Sequence, residues 1–321
     1  MTVPCVTLNE LSVAVASDGS SADERGIAFA QLTKRLRAFG FGAAVRTTSD
    51  ALDRQFSPSQ TLRNWIVTPR SSDMPGAVEA KRLLGQLLQK GPFVDVEMAR
   101  LETGACAAYE FRFEGRLAPG MGFAHLVSGP CVSFAGNPEF SKPEVSITAL
   151  EVTSSESDER VVFVKHFAAA SDVSGHAAWL GERIQEAYTN GVVLCAACET
   201  IFPQLKLCES ARAQINGLGG GEDSFKAIVR HLYVLSTAAA LWESGTFSPS
   251  IPFSPESAST LQNPHWAKMR TFRCPDGTER LFTLHSKIGG HTRIHFYWHH
   301  PARHVLVGYV GAHLPTSSDP T

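Results

Sequence analysis

The stretch that most constrains the fold of this chain is residues 279–314, which reads ERLFTLHSKIGGHTRIHFYWHHPARHVLVGYVGAHL. Three short runs within it alternate between apolar and polar residues or stay apolar, and turn residues separate them, which predicts an antiparallel sheet. The predicted strands are residues 280–287, 292–299 and 304–310. Gly289-Gly290 is predicted to join the first two strands, and Pro301-Ala302-Arg303 the last two.

Side chains of a strand point alternately to opposite faces, so the middle strand sorts its residues into two sets. The set that suits a hydrophobic core is Thr292, Ile294, Phe296 and Trp298. The opposite face would carry His291, Arg293, His295, Tyr297 and His299. This second set is a row of hydrogen-bonding groups with one aromatic ring, and a binding or catalytic surface is expected there first.

Composition limits the class of protein. The chain has 321 residues with 43% hydrophobic and 19% charged content, enough for a substantial core or two packed subdomains and too apolar for wholesale disorder. The net charge of -2 excludes a polybasic coat for nucleic acid. From His265 onward, however, seven Lys/Arg face three Asp/Glu, and eight of the 12 histidines lie there, so the C-terminal segment is basic.

The cysteines and the apolar runs indicate a reducing, aqueous environment. Seven cysteines without regular spacing predict free thiols, and no secretory signal or membrane-spanning run is visible, so a cytoplasmic protein with no membrane partner is expected. Cys195, Cys198 and Cys208 lack the fourth ligand of a structural zinc site and are interpreted as buried thiols, although the sequence leaves open whether they bind metal. No metal and no cofactor are predicted.

The order of patterns along the chain predicts an α+β fold. Residues 1–104 would form an α/β region with a strand at 11–16, a helix reaching about residue 39 and another helix at 77–88. Residues 105–245 would form a mostly antiparallel sheet with helices. Residues 246–264 are rich in Ser and Pro and are interpreted as a linker. Residues 265–321 would form a basic, His-rich sheet module that packs by itself or with the rest.

One local motif resembles a known family. Residues 132–140 end an apolar run in Gly136-Asn137-Pro138, which is similar to the first motif of the uracil/thymine DNA glycosylase superfamily, and His300-Pro301 is similar to the second. The resemblance implies that Asn137 positions water, Phe140 stacks on a flipped base, and His300 stabilises charge on the departing base.

The C-terminal strands resemble a second family, the small RelE-like toxin ribonucleases. The resemblance implies that Arg293, His295 and His313 assist attack by the RNA 2′-hydroxyl, while Lys287 and Arg303 bind phosphate. Histidine suits acid–base chemistry at neutral pH because its ordinary pKa lies nearby.

Three functions follow from these patterns. The leading hypothesis is a nucleic-acid-directed enzyme of bacterial defence type, most concretely a DNA glycosylase that hydrolyses an N-glycosidic bond. The alternatives are a RelE-like endoribonuclease and a protein that binds nucleic acid or another partner without catalysis, with Tyr297 as an exposed ring for a base. DNA is favoured as the partner, RNA is the other candidate, and the oligomeric state is open.

Overall fold

The computed structural model describes residues 5–68, 73–89, 91–219, 223–300 and 303–316. The fold is α+β, as predicted from the sequence. The chain divides into two compact units, residues 1–37 with 41–177 and residues 38–40 with 178–321. The predicted boundary at residue 104 lies inside the first unit, and the division falls near residue 177.

The first unit contains strands β1 to β9 and helices α1 to α6. The strands are β1 (Val6–Leu8), β2 (Val45–Arg46), β3 (Gln55–Ser57), β4 (Gln60–Thr61), β5 (Ala108–Phe113), β6 (Arg116–Leu117), β7 (Cys131–Val132), β8 (Glu144–Val152) and β9 (Ser157–Phe167). The helices are α1 (Ala22–Ala38), α2 (Leu62–Val67), α3 (Ala77–Leu88), α4 (Val94–Ala105), α5 (Pro119–Leu126) and α6 (Asp172–Gly175).

One sheet, in the order β2-β1-β7-β9-β8-β5-β6, runs through the first unit. The pairs β2-β1, β1-β7 and β7-β9 are parallel, whereas β9-β8, β8-β5 and β5-β6 are antiparallel. The predicted antiparallel sheet therefore exists, but β7 joins it to the N-terminal strands. This shared sheet explains why the two predicted N-terminal regions form one unit.

Local chemistry explains where α1 begins and why the strand predicted at residues 11–16 is wrong. The side chains and backbone amides of Ser21 and Glu24 cap each other at the start of α1. The side chain of Asn9 accepts a hydrogen bond from the backbone N of Leu11, which starts a 3-10 turn at Glu10–Val13. The alternating apolar residues that predicted a strand lie in and after this turn. The strand that the structure contains, β1, precedes the turn.

The second unit contains helices α7 to α12 and strands β10 to β16. The helices are α7 (Ala177–Ala187), α8 (Gly191–Ile201), α9 (Glu209–Asn216), α10 (Asp223–Leu241), α11 (Ala258–Gln262) and α12 (Pro264–Lys268). The strands are β10 (Leu205–Leu207), β11 (Phe253–Pro255), β12 (Thr271–Arg273), β13 (Glu279–Leu281), β14 (Leu284–Ile288), β15 (Thr292–His299) and β16 (His304–Ala312).

The main sheet of the second unit has the order β10-β16-β15-β14-β11, and α10 packs against β14 and β16. The prediction of β15 is confirmed in its bounds, and β16 extends two residues beyond its predicted end. The first predicted strand is instead two strands, since β13 pairs with β12 in a separate hairpin and β14 pairs with β15. The predicted turn residues Pro301 and Ala302 lie outside the described residues.

The segment predicted to be a linker is part of this unit. Its strand β11 pairs antiparallel with β14, and its side chains Phe247 and Ile251 are buried. A Ser- and Pro-rich composition indicates a linker only when the segment has few apolar residues that can pack against the core. Here Phe247 and Ile251 anchor the segment. The linker prediction was therefore wrong.

An irregularity in pairing shapes one face of the sheet. The register between β15 and β16 shifts between His295 and Phe296, so that His295 lies opposite Tyr309 and Phe296 lies opposite Val307. The residue left over on β16 is Gly308, and a Cβ there would stand 2.4 Å from the ring of Phe272 in the β12-β13 hairpin. The hairpin thus packs closely over this point of the sheet.

No helix in the described part of the chain combines the length and apolar character needed to cross a lipid bilayer.

Candidate functional site

Several polar side chains meet on one face of the second unit's sheet. Antiparallel pairing places Ser254 of β11 opposite His285 of β14, His285 opposite His295 of β15, and His295 opposite Tyr309 of β16. The ring centroids of His285 and His295 are 5.4 Å apart, and those of His295 and Tyr309 are 5.6 Å apart. Glu256, just after β11, points its carboxylate into this row.

The carboxylate of Glu256 organises the contacts. Its Oε1 lies 3.1 Å from His285 Nδ1 and 3.7 Å from His295 Nδ1, and its Oε2 lies 3.1 Å from Arg270 Nε. We call Glu256, Arg270, His285 and His295 the Glu256 cluster. The side chains of Glu256, Arg270 and His295 are at most 4% exposed, and His285, at 11%, is the cluster's most exposed member.

The backbone and a hydroxyl hold the outer atoms of the cluster. The Nη groups of Arg270 donate hydrogen bonds to the carbonyls of Trp266, Leu314 and Pro315. His285 Nε2 lies 3.2 Å from Ser254 Oγ. These hydrogen bonds hold the guanidinium of Arg270 in place. Less side-chain conformational entropy is therefore lost when it pairs with the carboxylate of Glu256.

The imidazole atoms that face the carboxylate are incompletely satisfied. His285 Nδ1 and His295 Nδ1 both lie within ion-pair distance of Oε1, but among the described residues neither has a hydrogen-bond partner with suitable alignment. Two buried nitrogen atoms therefore converge on one carboxylate oxygen.

Burial and charge set the protonation states. Burial alone would raise the pKa of Glu256, but the contacts with His285 and Arg270 outweigh it and hold this pKa at about 2. Burial lowers the pKa of His295 to about 3, although the Glu256 carboxylate acts in the opposite direction. At neutral pH the cluster thus contains an ionised carboxylate and a neutral His295.

A cationic pair borders the cluster. Lys287 and Arg293 lie opposite each other on β14 and β15, two residues along each strand from His285 and His295 and therefore on the same face. Lys287 is exposed and Arg293 is half-buried. Arg293 Nη1 donates to the carbonyl of Thr292 at 2.9 Å, while its Nε has no partner among the described residues. We call Lys287 and Arg293 the cationic pair.

The other residues of the RelE-like resemblance have different surroundings. His313 follows β16, is half-buried, and its charge contributes to the lowered pKa of His295. Arg303 is exposed and its guanidinium lies 5.6 Å from the ring centroid of Trp242. Tyr297 packs against the small apolar cluster of Cys208, Cys274, Phe282 and Leu306, so it is not the exposed ring that was predicted.

The residues of the glycosylase resemblance lie in different units. Asn137 belongs to the first unit, where its Oδ1 accepts a hydrogen bond from Ser17 N, and His300 belongs to the second, where its ring packs against Trp242. Pro301 lies outside the described residues. Phe140 is 1% exposed and packs against Phe113 and His166, so its ring is not available for stacking on a base in this structure.

The first unit also contains a buried polar network, which we interpret as structural. Ser133 Oγ lies 2.6 Å from His166 Nε2, His166 Nδ1 donates to the carbonyl of Lys142, and Ser133 and His166 are fully buried. The guanidinium of Arg25 is likewise buried and donates to three backbone carbonyls, those of Ser12, Phe56 and Ala135. It fills the space after β1 and β7, where parallel sheets commonly bind ligands.

The thiols flagged in the sequence do not form a metal site in the described residues. Cys195, Cys198 and Cys208 are buried, and burial raises the pKa of Cys198 to about 12. Cys208 Sγ lies 3.9 Å from Cys274 Sγ. Within the described ranges, the group with spacing suitable for an ion is Glu256, His285 and His295, whose ligand atoms lie within 4.8 Å of one another.

Sequence reasoning missed Glu256, Arg270, Ser254 and His285. Glu256 and Ser254 lie in the segment that was interpreted as a linker, and Arg270 precedes the predicted strands. His285 lay inside a predicted strand, and its even spacing with Lys287 was a signal that both share a face. No local pattern indicates that Glu256 lies next to His295.

No protein-family model, no curated protein and no solved structure matches this chain. The chemical argument therefore depends on the geometry of the site.

Proposed function

We propose that the chain is a nucleic-acid-directed enzyme whose second unit cleaves RNA by attack of a 2′-hydroxyl on the neighbouring phosphate. The bond between phosphorus and the 5′-oxygen breaks, the leaving oxygen takes a proton from water, and the products are a 2′,3′-cyclic phosphate and a 5′-hydroxyl. The observation that supports this proposal is the position of the cationic pair beside the Glu256 cluster on one sheet face. Phosphate binding and acid–base groups are the two requirements of this reaction.

The cationic pair would bind the scissile phosphate. Charge accumulates on the non-bridging oxygens as the 2′-hydroxyl attacks, and fixed cations close to those oxygens lower the barrier. Lys287 is exposed and supplies the accessible charge, and the half-buried Arg293 opposite it adds a second positive charge at the same point of the sheet. Arg303 and His313, which the sequence suggested for substrate binding, would contact flanking phosphates.

His285, rather than the predicted His295, would be the general base. With a proton on Nδ1 shared with Glu256, the lone pair of His285 lies on Nε2, on the side of Ser254 Oγ. The 2′-hydroxyl would replace the Ser254 hydroxyl as partner of this atom. The lowered pKa of His295 makes it a poor proton acceptor at neutral pH. His295 would instead help to orient Glu256.

Base excision from DNA receives less support from the same geometry, because Phe140 is buried and the two halves of the glycosylase motif belong to different units. As an RNA-cleaving protein of bacterial defence type, the chain would act in the cytoplasm. Experiments must distinguish this cleavage from binding of nucleic acid without cleavage.

The test is incubation of the purified chain with RNA and with modified and unmodified DNA, followed by analysis with and without alkali. We expect RNA fragments without alkali treatment, and we expect His285→Ala and Arg293→Ala each to reduce the rate by about 100-fold or more, the scale of a lost acid–base group. His291→Ala and Arg273→Ala are matched controls, since both residues are exposed in the same unit.

Intact RNA, or full activity in both site variants, would remove the RNA assignment. DNA that breaks only after alkali treatment, with loss of this effect in Asn137→Ala, would favour base excision instead. Unbroken nucleic acid together with salt-sensitive affinity would indicate a binding protein.

A further inference from the structure

Two imidazole nitrogens of the Glu256 cluster converge on one carboxylate oxygen. His295 Nδ1 lies 3.7 Å from Glu256 Oε1, and His285 Nδ1 lies 3.1 Å from the same oxygen. Both nitrogens are buried without an aligned partner among the described residues. Buried polar atoms are normally satisfied, so an arrangement of this kind indicates an additional species bound between them.

We propose that Glu256 Oε1, His285 Nδ1 and His295 Nδ1 bind one divalent transition-metal ion of the zinc class. One potential ligand atom from each residue lies within 4.8 Å of the other two, and Glu256 Oε1 lies 3.1 Å and 3.7 Å from the two Nδ1 atoms. Zinc bonds of about 2.0–2.1 Å would bring such atoms to roughly 3.3 Å apart in a tetrahedron, which needs only small side-chain shifts. Two imidazoles and one carboxylate favour zinc over magnesium or calcium, which prefer oxygen ligands alone.

The surrounding contacts are those that orient metal ligands. Ser254 Oγ would accept a hydrogen bond from His285 Nε2, which leaves the Nδ1 lone pair directed at the ion. Arg270 contacts the other carboxylate oxygen, Oε2, and fixes the orientation of Glu256 without occupying the side that faces the imidazoles. The positive charge of Arg270 offsets the negative charge of Glu256. We therefore expect the zinc-class ion to bind more weakly here than at a site with four anionic or neutral ligands.

Ion binding would also regulate the proposed reaction, and this consequence alone depends on the proposed function. The ion requires the His285 proton on Nε2, whereas the general base requires it on Nδ1, so the two states of the ring exclude each other. Zinc would therefore inhibit RNA cleavage. Ion binding itself goes beyond the proposed function and holds whether or not the chain cleaves RNA.

The primary experiment is calorimetric titration of the chelator-treated full chain with Zn²⁺ at neutral pH. We expect one ion per chain, with affinity lowered at least tenfold in His285→Gln and His295→Gln and unchanged in His291→Gln, an exposed histidine in the turn between β14 and β15. Loss of a hydrogen bond that orients a ligand should weaken binding by about 10–100-fold in Ser254→Ala. Failure of the unaltered chain to bind, or unchanged binding in both ligand variants, would overturn the inference.

A spectroscopic measurement on the unaltered chain avoids dependence on variants that fold poorly. Co²⁺ bound by two imidazoles and a carboxylate gives visible absorption bands without the near-ultraviolet bands of sulfur ligation. Bands of the first kind, displaced by Zn²⁺, would support the site. Sulfur bands alone would place the ion on the free thiols, such as the exposed Cys106, and would overturn the inference.

Parallel RNA assays separate the two proposals. Ion binding with no RNA cleavage would leave the ion site in place and remove the proposed function. RNA cleavage by a chain that binds no ion would support the proposed function and remove the ion site. Cleavage that Zn²⁺ inhibits in the unaltered chain, and that chelation restores, would support both.

Discussion

Two buried carboxyl groups show how strongly single-residue surroundings control chemistry in this chain. Burial raises the pKa of Glu10 to about 7, because its Oε2 accepts only the backbone N–H of Gly120 and its Oε1 has no partner among the described residues. The contacts of Glu256 with His285 and Arg270 instead hold its pKa at about 2. The same side-chain type therefore keeps its proton up to about neutral pH in one unit and is ionised far below neutral pH in the other.

The residue-scale prediction concerns Glu10→Gln. In the unfolded chain this carboxyl ionises near 4.5, whereas the folded chain keeps the proton up to about 7. The folded state then binds more protons between these values, so the free energy of unfolding should fall by about 3 kcal/mol as pH rises from 4.5 to 7. Urea unfolding at a series of pH values should show a flatter profile and greater stability at pH 7 in the variant. Parallel profiles would contradict this explanation.

At the scale of elements, the pairing of β15 with β16 determines which side chains the site contains. The shift between His295 and Phe296 places His295 opposite Tyr309 and lets the β12-β13 hairpin pack over Gly308. Polar and apolar residues alternate in the sequence of β15, which is why its bounds and its buried residues Ile294 and Phe296 were predictable, whereas the burial of His295 between them was not. The break between β13 and β14 was not predicted, because the hairpin that pairs β13 with β12 was not recognised in the sequence.

The element-scale prediction concerns Gly308→Ala. A Cβ at this position would come 2.4 Å from the ring of Phe272 and 2.9 Å from that of Phe282, so the hairpin or the strand must shift. Overpacking of this kind costs about 1–3 kcal/mol in stability. Urea unfolding should show this loss, together with weaker Zn²⁺ binding at the neighbouring cluster.

Gly290→Ala is the matched control for this change. Among the described residues, no heavy atom lies within 4 Å of a Cβ at Gly290, and its backbone is outside the left-handed region. We expect its unfolding free energy to stay within about 0.5 kcal/mol of that of the unaltered chain. Equal stability of the two variants would show that the hairpin does not pack tightly over β16.

At the scale of the whole molecule, the Glu256 cluster and the surroundings of Glu10 should respond to pH in opposite directions. The lowered pKa values of His295 and Glu256 mean that their contribution to stability is present above their ordinary values and is lost as pH falls through about 6 to 2. The raised pKa of Glu10 has the reverse effect in the first unit.

Hydrogen exchange read by mass spectrometry tests this at pH 7 and pH 4, after correction for intrinsic exchange rates. We expect peptides from β14 and β15 to lose protection at the lower pH, while peptides from β1 and α5 keep or gain protection. His295→Asn should remove part of the loss in the second unit. Loss of protection in the first unit at low pH, with β14 and β15 unaffected, would refute this assignment.

The sequence by itself determined the local features: the α+β class, the helices α1 and α3, the strand β15 and the two faces of that strand. These follow from backbone geometry, which makes side chains repeat every 3.6 residues in a helix and every two in a strand. Only the tertiary structure decided that β11 pairs with β14 and brings Glu256 to His285 and His295. That contact joins segments far apart in the chain, and the burial that fixes the protonation state of His295 exists only after they pack.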